Sequence, residues 1–340
     1  MTETVLVTGG SGYIAGYLIR QLIAQGWIVR STIRDLAREA PVRQLLAVDN
    51  SRLSFVATQL LEDAGWANAM AGCSHVANVA SPLPLALPKD ENDIIRPARD
   101  GALRVLRFAK DAGVKRFVMT SSVAAITYGR PRGVHTFTEA DWTDPTHPQT
   151  SAYVRSKTLS ERAARDWVAS NGGGMEFCTI NPSVVLGPIW SSDYSASLEV
   201  LKRLLDGSLP GCPDLGFGLV DVRDVADLHW RALTAPGMAN ERFICSGPFM
   251  KMIEIARVLK EKLGPDASKV PVRQLPDFLV KLRALFDPAV RQVSSELGKV
   301  RHMDASHARD KLGWVPRPLE PVIVEAARSL IAHGAIGNKR

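Results

Sequence analysis

The chain has 340 residues, 46% of them hydrophobic and 23% charged, which is enough for a large buried core. It contains no fixed-period repeat and no low-complexity tract, which excludes the solenoid and disordered classes. The net charge of +7 comes from residues 247–340, which carry 17 basic and 10 acidic residues without interleaved aromatic side chains. We therefore expect solvated helix faces in that region and no nucleic acid partner.

Hydropathy and cysteine usage indicate the compartment. No apolar run approaches the ~20 residues that a membrane helix needs, and residues 1–8 lack the pattern of a signal peptide. We expect a cytoplasmic protein with no membrane partner and no metal site, because no cysteine pair or nearby histidine has metal-ligand spacing. Four isolated thiols are expected to be reduced and mostly buried: Cys73, Cys178, Cys212 and Cys245.

Strand and helix patterns alternate along the first 180 residues. Alternation of this kind predicts right-handed βαβ crossovers and an α/β fold with a doubly wound parallel sheet of the Rossmann type. Strands are predicted at residues 4–8, 28–33, 53–56, 75–79, 116–119 and 177–180, and helices at 37–47, 64–71, 94–112 and 151–170.

The regular alternation ends after residue 180. One more strand and helix are predicted within residues 217–235 and a short strand at 242–245, whereas the remainder has a helical, proline-punctuated pattern. We expect ligands to bind in the crevice between two domains. These are a dinucleotide-binding domain formed by residues 1–182 and 217–246, and a smaller, mainly helical substrate-binding domain formed by residues 183–216 and 247–340.

The turn after the first strand has the sequence TGGSGYIAG, residues 8–16. Small residues there allow a tight turn and let a pyrophosphate approach the amides at the start of the next helix. The turn follows a strand and opens an amphipathic helix, which favours cofactor binding over a merely tight connection. We expect Thr8, Gly9, Gly12, Tyr13 and Ile14 to bind the dinucleotide.

The end of the second strand distinguishes the two nicotinamide dinucleotides. An acidic side chain there would accept hydrogen bonds from an unmodified ribose, whereas a cation would pair with the adenosine 2′-phosphate. Arg34 stands at this position and favours NADPH/NADP+, while the adjacent Asp35 leaves NADH possible. The alternative is that these two residues form a solvated surface pair.

A serine, a tyrosine and a lysine form a candidate catalytic set. Tyr153 and Lys157 are four residues apart on a predicted helix that Ser151 caps, so their side chains share one face. Ser122 ends a predicted apolar strand 31 residues before Tyr153.

With these motifs the sequence resembles the extended short-chain dehydrogenase/reductases. The resemblance is closest to the branch that contains dihydroflavonol reductases, cinnamoyl-CoA reductases, aldehyde reductases and methylglyoxal reductases, and it covers about the first 250 residues. The strings that carry it are TGGSGYIA (8–15), TIRD (32–35), NVASP (78–82), TSS (120–122), YVRSK (153–157), NPSVVLGP (181–188) and VDVRDVADLHWRA (220–232).

The resemblance implies a role for each member of the candidate catalytic set. Tyr153 would protonate the alkoxide that forms as hydride reaches a carbonyl carbon, and Lys157 would lower the phenol pKa and hold the nicotinamide ribose. Ser122 would donate a hydrogen bond to the substrate oxygen. The alternatives are a strand-end turn residue for Ser122 and an ordinary surface pair for Tyr153 and Lys157.

The resemblance also implies further contacts to the cofactor, and apolar segments at 82–87, 126–128 and 189–194 suggest substrate contacts. No cluster of arginine or lysine suited to a nucleotide-sugar diphosphate is evident, so we expect a hydrophobic, preferably aromatic, substrate. Packing between domains is the alternative for Trp190 and Tyr194. The expected residues are Val79, Ala80, Ser81, Pro182, Val184 and Val185 for the cofactor, and Pro82, Ile126, Trp190 and Tyr194 for the substrate.

The sequence therefore predicts an NADPH-dependent reductase of a hydrophobic aldehyde or ketone, or an alcohol dehydrogenase if the reaction runs in reverse. The alternatives are a nucleotide-sugar epimerase or dehydratase and a non-catalytic NADP(H)-sensing protein on the same fold. We expect a small-molecule carbonyl or alcohol as the partner and a monomer or homodimer as the assembly.

Overall fold

The strands are short apolar segments, most of them rich in β-branched residues. The structure is a computed structural model that describes residues 3–82, 90–192 and 194–336, without the side chains of residues 288, 289 and 292. In chain order its strands are β1 (Thr4–Val7), β2 (Ile28–Ile33), β3 (Leu53–Ala57), β4 (His75–Asn78), β5 (Arg116–Thr120), β6 (Gly133–Phe137), β7 (Glu176–Pro182), β8 (Val184–Leu186), β9 (Gly216–Asp221), β10 (Glu241–Cys245), β11 (Phe249–Lys251) and β12 (Lys299–Met303).

Seven of these strands form the central sheet, in the order β10-β7-β5-β4-β1-β2-β3. Every neighbouring pair in it is parallel. The chain first extends the sheet from β1 to one side, through β2 and β3, and then to the other side from β4 onwards. This arrangement confirms the predicted doubly wound parallel sheet.

Helices cover both faces of the central sheet. In β1, Val5 and Val7 pack into one hydrophobic core with α1 and α7, while Leu6 points into a second core with α4. The helices are α1 (Tyr13–Ala24), α2 (Glu39–Leu46), α3 (Trp66–Met70), α4 (Asn92–Asp111), α5 (Ala152–Asn171), α6 (Glu199–Leu205), α7 (Val222–Thr234), α8 (Met252–Leu263), α9 (Asp277–Ala284), α10 (Pro288–Ser294), α11 (Ser306–Leu312) and α12 (Leu319–Ala332).

A second sheet, in the order β11-β9-β8, builds the smaller part of the molecule. It shares a third hydrophobic core with α6, α8 and α12. The expected domain boundary places residues 217–246, and with them most of β9, in the dinucleotide-binding domain. The strand instead pairs in parallel with β8, which leaves the central sheet directly after β7.

A third, two-stranded sheet joins β12 to β6 in parallel, with Lys299 opposite Gly133. The expectation that the C-terminal segment is helical is wrong for these five residues. A strand stabilised by a partner 166 residues away leaves little local signal in the sequence.

The C-terminal segment is fastened to α7 by Trp314. Its ring is 1% exposed, and its indole N–H donates to the Asp224 carbonyl at 2.9 Å. The backbone N–H of Arg317 donates to the Asp224 carboxylate at 2.7 Å. This contact holds the chain between α11 and α12 against the dinucleotide-binding part.

Two further expectations concern the cysteines and membrane-spanning helices. All four cysteines are free and buried, as the sequence predicts. Among the described residues, no helix has the length and apolar character required to cross a bilayer.

Replacing Trp314 with alanine should lower the free energy of unfolding by about 3–5 kcal/mol, because it removes a buried indole and leaves a cavity. Urea denaturation of the wild type and the variant measures this difference. The neighbouring Val315 is 68% exposed, so Val315→Ala should change stability by less than about 0.5 kcal/mol. Equal stability of Trp314→Ala and Val315→Ala would contradict the proposed anchoring.

Candidate functional site

The parallel central sheet brings the candidate residues to one edge. Gly9 follows β1, Arg34 follows β2, Val79 follows β4, Ser122 lies just after β5 and Pro182 ends β7. Because these strands are adjacent in the order β7-β5-β4-β1-β2, their carboxyl ends form a continuous row. The row runs from Pro182 and Ser122 at one end to Arg34 at the other.

The glycine turn leaves no room for side chains. Gly9 has φ +74°, and a Cβ at Gly10 would lie 2.2 Å from the Ser31 hydroxyl oxygen. Gly12 precedes α1 without a side-chain cap, so the amides of Tyr13 and Ile14 face the space before the helix. The N-terminus of α1 is the positive end of the helix dipole, and it fits a diphosphate.

The side chains of Thr8 and Tyr13 contact protein groups around the glycine turn. Thr8 is fully buried: its hydroxyl donates to the Asn78 Oδ1 atom at 3.0 Å and accepts from the Ala80 N–H at 2.9 Å. It therefore ties the glycine turn to the segment after β4. The Tyr13 ring packs edge-on against Tyr17, and burial raises the pKa of its phenol well above the ordinary value.

The end of β2 presents a cation. Arg34 is exposed, while the carboxylate of Asp35 accepts a hydrogen bond from the Ala37 N–H at 2.9 Å and caps the short helical turn that follows. The exposed Arg34 guanidinium is therefore available to a group bound beyond this strand.

The candidate catalytic set assembles at the start of α5. The Ser151 hydroxyl accepts from the Val154 N–H at 3.3 Å and caps the helix, which places Tyr153 in its first turn and Lys157 one turn later. The Tyr153 phenol forms a side-chain hydrogen bond with Ser122. Lys157 is 8% exposed. Ser122 and Tyr153 therefore lie close together, and Tyr153 and Lys157 share one face of α5.

Burial controls the protonation of this set. It raises the pKa of Tyr153 to about 12, although the hydrogen bond with Ser122 opposes the shift, and Tyr128 raises the pKa further. Burial lowers the pKa of Lys157 to about 8 against the effect of the Glu161 carboxylate. The expected lowering of the phenol pKa by Lys157 is not found, because burial dominates. At neutral pH the Tyr153 phenol is therefore protonated.

The sequence analysis missed Glu161, which is fully buried on α5 one turn after Lys157. Its carboxylate accepts hydrogen bonds from the Arg242 Nε atom at 2.7 Å, the Asn181 Nδ2 atom at 2.7 Å and the Ser121 hydroxyl. The same Asn181 amide donates to the Ser122 carbonyl at 3.1 Å. Glu161 thus joins the ends of β5 and β7 beneath the catalytic set.

The spacing of Glu161 could have revealed it, since residues 153, 157 and 161 continue one helix face. Burial raises the pKa of the Glu161 carboxyl, but Arg242 and Arg165 outweigh that effect and hold the pKa below the ordinary value. The carboxylate is therefore ionised in the core at neutral pH.

Two of the four expected substrate residues occupy packing positions. Ile126 is 1% exposed and packs with Phe137 and Ile244. Trp190 stacks on Tyr17 on the flank of α1, with ring centroids 4.2 Å apart, which is the packing role that the sequence left as an alternative. Both residues differ from the expectation for one reason: their apolar side chains pack against neighbouring elements.

The other expected side chains are more accessible. Tyr194 is half-buried and donates its hydroxyl to the Glu199 carboxylate at 3.1 Å, and Pro82 is half-buried after β4. Residues 83–87 and 193 of the predicted apolar segments lie outside the described residues. The segments expected near the nicotinamide include half-buried Val79, Ala80, Ser81 and Val184, and buried Pro182 and Val185.

Comparisons with known proteins agree with this geometry. Residues 5–245 match the NAD dependent epimerase/dehydratase family. Cinnamoyl-CoA reductase CAD2 of Medicago truncatula is 33% identical over 335 residues, covering 96% of this chain and 95% of that protein. A dihydroflavonol 4-reductase of Hordeum vulgare is 33% identical, covering 76% of this chain and 74% of the relative. These matches confirm the predicted resemblance.

A solved structure shows the same fold. Yeast methylglyoxal/isovaleraldehyde reductase Gre2 complexed with NADPH superposes with a TM-score of 0.81 at 23% identity, covering 98% of this chain and 100% of that chain.

Replacing Glu161 with glutamine should lower the free energy of unfolding at neutral pH by about 3–5 kcal/mol, because buried Arg242 and half-buried Arg165 lose their counter-charge. Since the folded pKa of Glu161 lies below 4.5, its ionised form stabilises the fold above that pH. The difference between variant and wild type should therefore shrink as pH falls towards about 3 in urea titrations. Glu325→Gln, which removes an exposed partner of Arg223, is the control, and a pH-independent difference would contradict the assignment.

Proposed function

This chain belongs to the NAD dependent epimerase/dehydratase family, and we propose that it uses NADPH to reduce a hydrophobic, preferably aromatic, aldehyde or ketone to the alcohol, or catalyses the reverse oxidation. The observation that carries the proposal is the placement of Ser122 beside Tyr153, with Lys157 on the same helix face, at the edge of the sheet that also holds the glycine turn. The names of the relatives, two plant reductases and a yeast aldehyde reductase, support carbonyl reduction.

The residues of this edge fit an NADP molecule. The uncapped amides of Tyr13 and Ile14 would hold its diphosphate, and the Arg34 guanidinium would pair with the 2′-phosphate. Ser183 lies at the other end of the row. Its buried hydroxyl has no hydrogen-bond partner among the described residues and would form a hydrogen bond with the nicotinamide end of the cofactor. Bound NADPH would supply the hydride.

The side chains of the catalytic set supply the remaining chemistry. Tyr153 would donate its phenolic proton to the oxygen of the carbonyl as negative charge develops there. Ser122 would donate a hydrogen bond to the same oxygen and fix its position. Lys157, whose ammonium has no ion pair within the described part of the chain, would hold the ribose hydroxyls and favour transfer of the phenolic proton.

Tyr153→Phe keeps the ring but removes the proton donor, so kcat for NADPH-dependent reduction should fall by ~10²–10⁴-fold. Fluorescence titration should show unchanged NADPH affinity. Steady-state NADPH and NADH oxidation against a panel of aromatic and aliphatic aldehydes and ketones, with one nucleotide sugar, measures the activity.

Tyr17→Phe is the matched control, since it also removes one phenolic hydroxyl, one that donates to the Pro188 carbonyl at 2.9 Å, and it should retain activity. Near wild-type turnover of Tyr153→Phe would remove Tyr153 from the proposed role. Turnover of the nucleotide sugar with retained NAD(H), and of no carbonyl compound, would favour an epimerase or dehydratase instead.

Arg34→Glu should reduce the preference for NADPH over NADH by roughly 10–100-fold in kcat/KM, because a charge-assisted contact to the 2′-phosphate is lost. The ratio of kcat/KM for the two cofactors measures the change. Arg52→Glu alters an arginine at the opposite end of the sheet, before β3, and should leave the ratio unchanged. An unaltered ratio in Arg34→Glu would place the 2′-phosphate elsewhere.

A further inference from the structure

A cavity of about 430 Å³ lies where the small sheet of β6 and β12 begins. Five of its lining residues are basic: Arg130, Arg132, His147, Lys281 and Lys299. None of the described residues that line it is acidic.

The fold assembles this cavity from four separate segments. The parallel pairing of Lys299 with Gly133 places the segments that precede β6 and β12 side by side. The Arg132 guanidinium lies across Gly298, where a Cβ would come within 2.2 Å of its Nε atom, and φ of Gly298 is +68°. Lys281 comes from α9 and His147 from the segment before α5. Because these residues are distant in sequence, the cationic cluster was not evident in the sequence analysis.

Acidic groups near the cavity neutralise part of this charge. Arg130 pairs with Asp141 at 3.3 Å, Arg132 with Asp277 at 3.0 Å, and Lys299 with Glu296 at 3.2 Å.

Two of the acidic groups are shared with further cations. Glu296 also pairs with Arg301, and Asp214 is shared between Lys251 at 3.0 Å and Arg132 at 3.8 Å. Lys281 is exposed and has no ion pair in the part of the chain that the structure describes. Asp144 also lies beside two lining residues, Gly129 and His147. With it, the cavity and its surroundings hold six lysine or arginine cations and five carboxylates, and the net charge is positive.

Two residues that line the cavity are close to the candidate catalytic set along the chain. Gln149 lies four residues before Tyr153 and two before Ser151, the cap of α5, and Gly129 lies seven residues after Ser122. Tyr128, which precedes Gly129, also raises the pKa of the Tyr153 phenol. Both segments that carry the candidate catalytic set therefore continue to the wall of the cavity.

We propose that this cavity binds an anionic group of the substrate, a carboxylate or a phosphate, at a distance from the carbonyl that is reduced. The inference rests on the proposed reductase function and adds a charged end to its hydrophobic substrate. Guanidinium and ammonium groups from opposite walls form charge-assisted hydrogen bonds to such anions. In this proposal the carbonyl and the anion belong to one molecule, which reaches from Tyr153 to the cavity.

The first test compares aldehydes that end in a carboxylate, at increasing chain lengths, with their neutral methyl esters. At the length that spans from Tyr153 to the cavity, kcat/KM for the carboxylate should exceed that for the ester by roughly tenfold, mainly through a lower KM. Lys281→Gln should abolish most of this preference and leave ester turnover unchanged. Lys110→Gln, the same charge change on α4, should have no effect. Efficient turnover without a preference at any length would overturn the inference and leave the reductase function intact.

The second test does not depend on turnover. Calorimetry on the enzyme saturated with NADP+ measures binding of the carboxylates and of inorganic pyrophosphate. The inference is supported if Lys281→Gln weakens this binding about tenfold and Lys110→Gln does not weaken it. Absence of binding, or binding that Lys281→Gln leaves unchanged, would overturn it. Pyrophosphate binding without carboxylate preference in turnover would assign the cavity to a free anion and overturn the link to the substrate. If no aldehyde is reduced, the proposed function fails, and calorimetry still decides whether the cavity binds the carboxylates.

Discussion

The parallel pairing of the seven central strands is the constraint on which the rest of the structure depends. Because parallel strands end at the same edge, residues that follow β1, β2, β4, β5 and β7 form one row. The glycine turn lies in the middle of that row, with Arg34 near one end and Ser122 towards the other. A ligand that reaches from Arg34 to Ser122 must cross the N-terminus of α1, whose open amides suit a diphosphate.

A network around a buried charge holds side chains at this edge that strand pairing alone does not position. Glu161 accepts hydrogen bonds from Ser121 just after β5, from Asn181 on β7 and from Arg242 on β10. It lies one turn after Lys157 on α5. A buried carboxylate is costly unless it is fully paired, and here Arg242 and Arg165 pair it. The network fixes Asn181, which in turn holds the Ser122 carbonyl. The Glu161 charge also opposes the lowering of the Lys157 pKa by burial. The residue that joins the strand ends therefore also affects the protonation of Lys157.

The molecule combines an apolar interior with two cationic regions that face bound anions in our proposals. Arg34 lies at the end of the row formed by the central sheet, whereas the basic cavity lies beyond Tyr128 at the small sheet of β6 and β12. Between them, burial keeps Tyr153 protonated at neutral pH. In our proposals, Tyr153 donates its proton between these two regions, and the substrate and the cofactor approach it from opposite sides.

The sequence by itself determined the features that depend on neighbours close in the chain. The alternation of strands and helices, the glycine turn after β1 and the shared helix face of Tyr153 and Lys157 all follow from short-range geometry, and they were predicted. The tertiary structure alone decided that β9 joins the smaller sheet, that β12 is a strand, that Ile126 and Trp190 serve packing, and that Arg132, Lys281 and Lys299 meet around one cavity. These outcomes depend on contacts between residues far apart in the chain, whose energies leave no periodic or local pattern in the sequence.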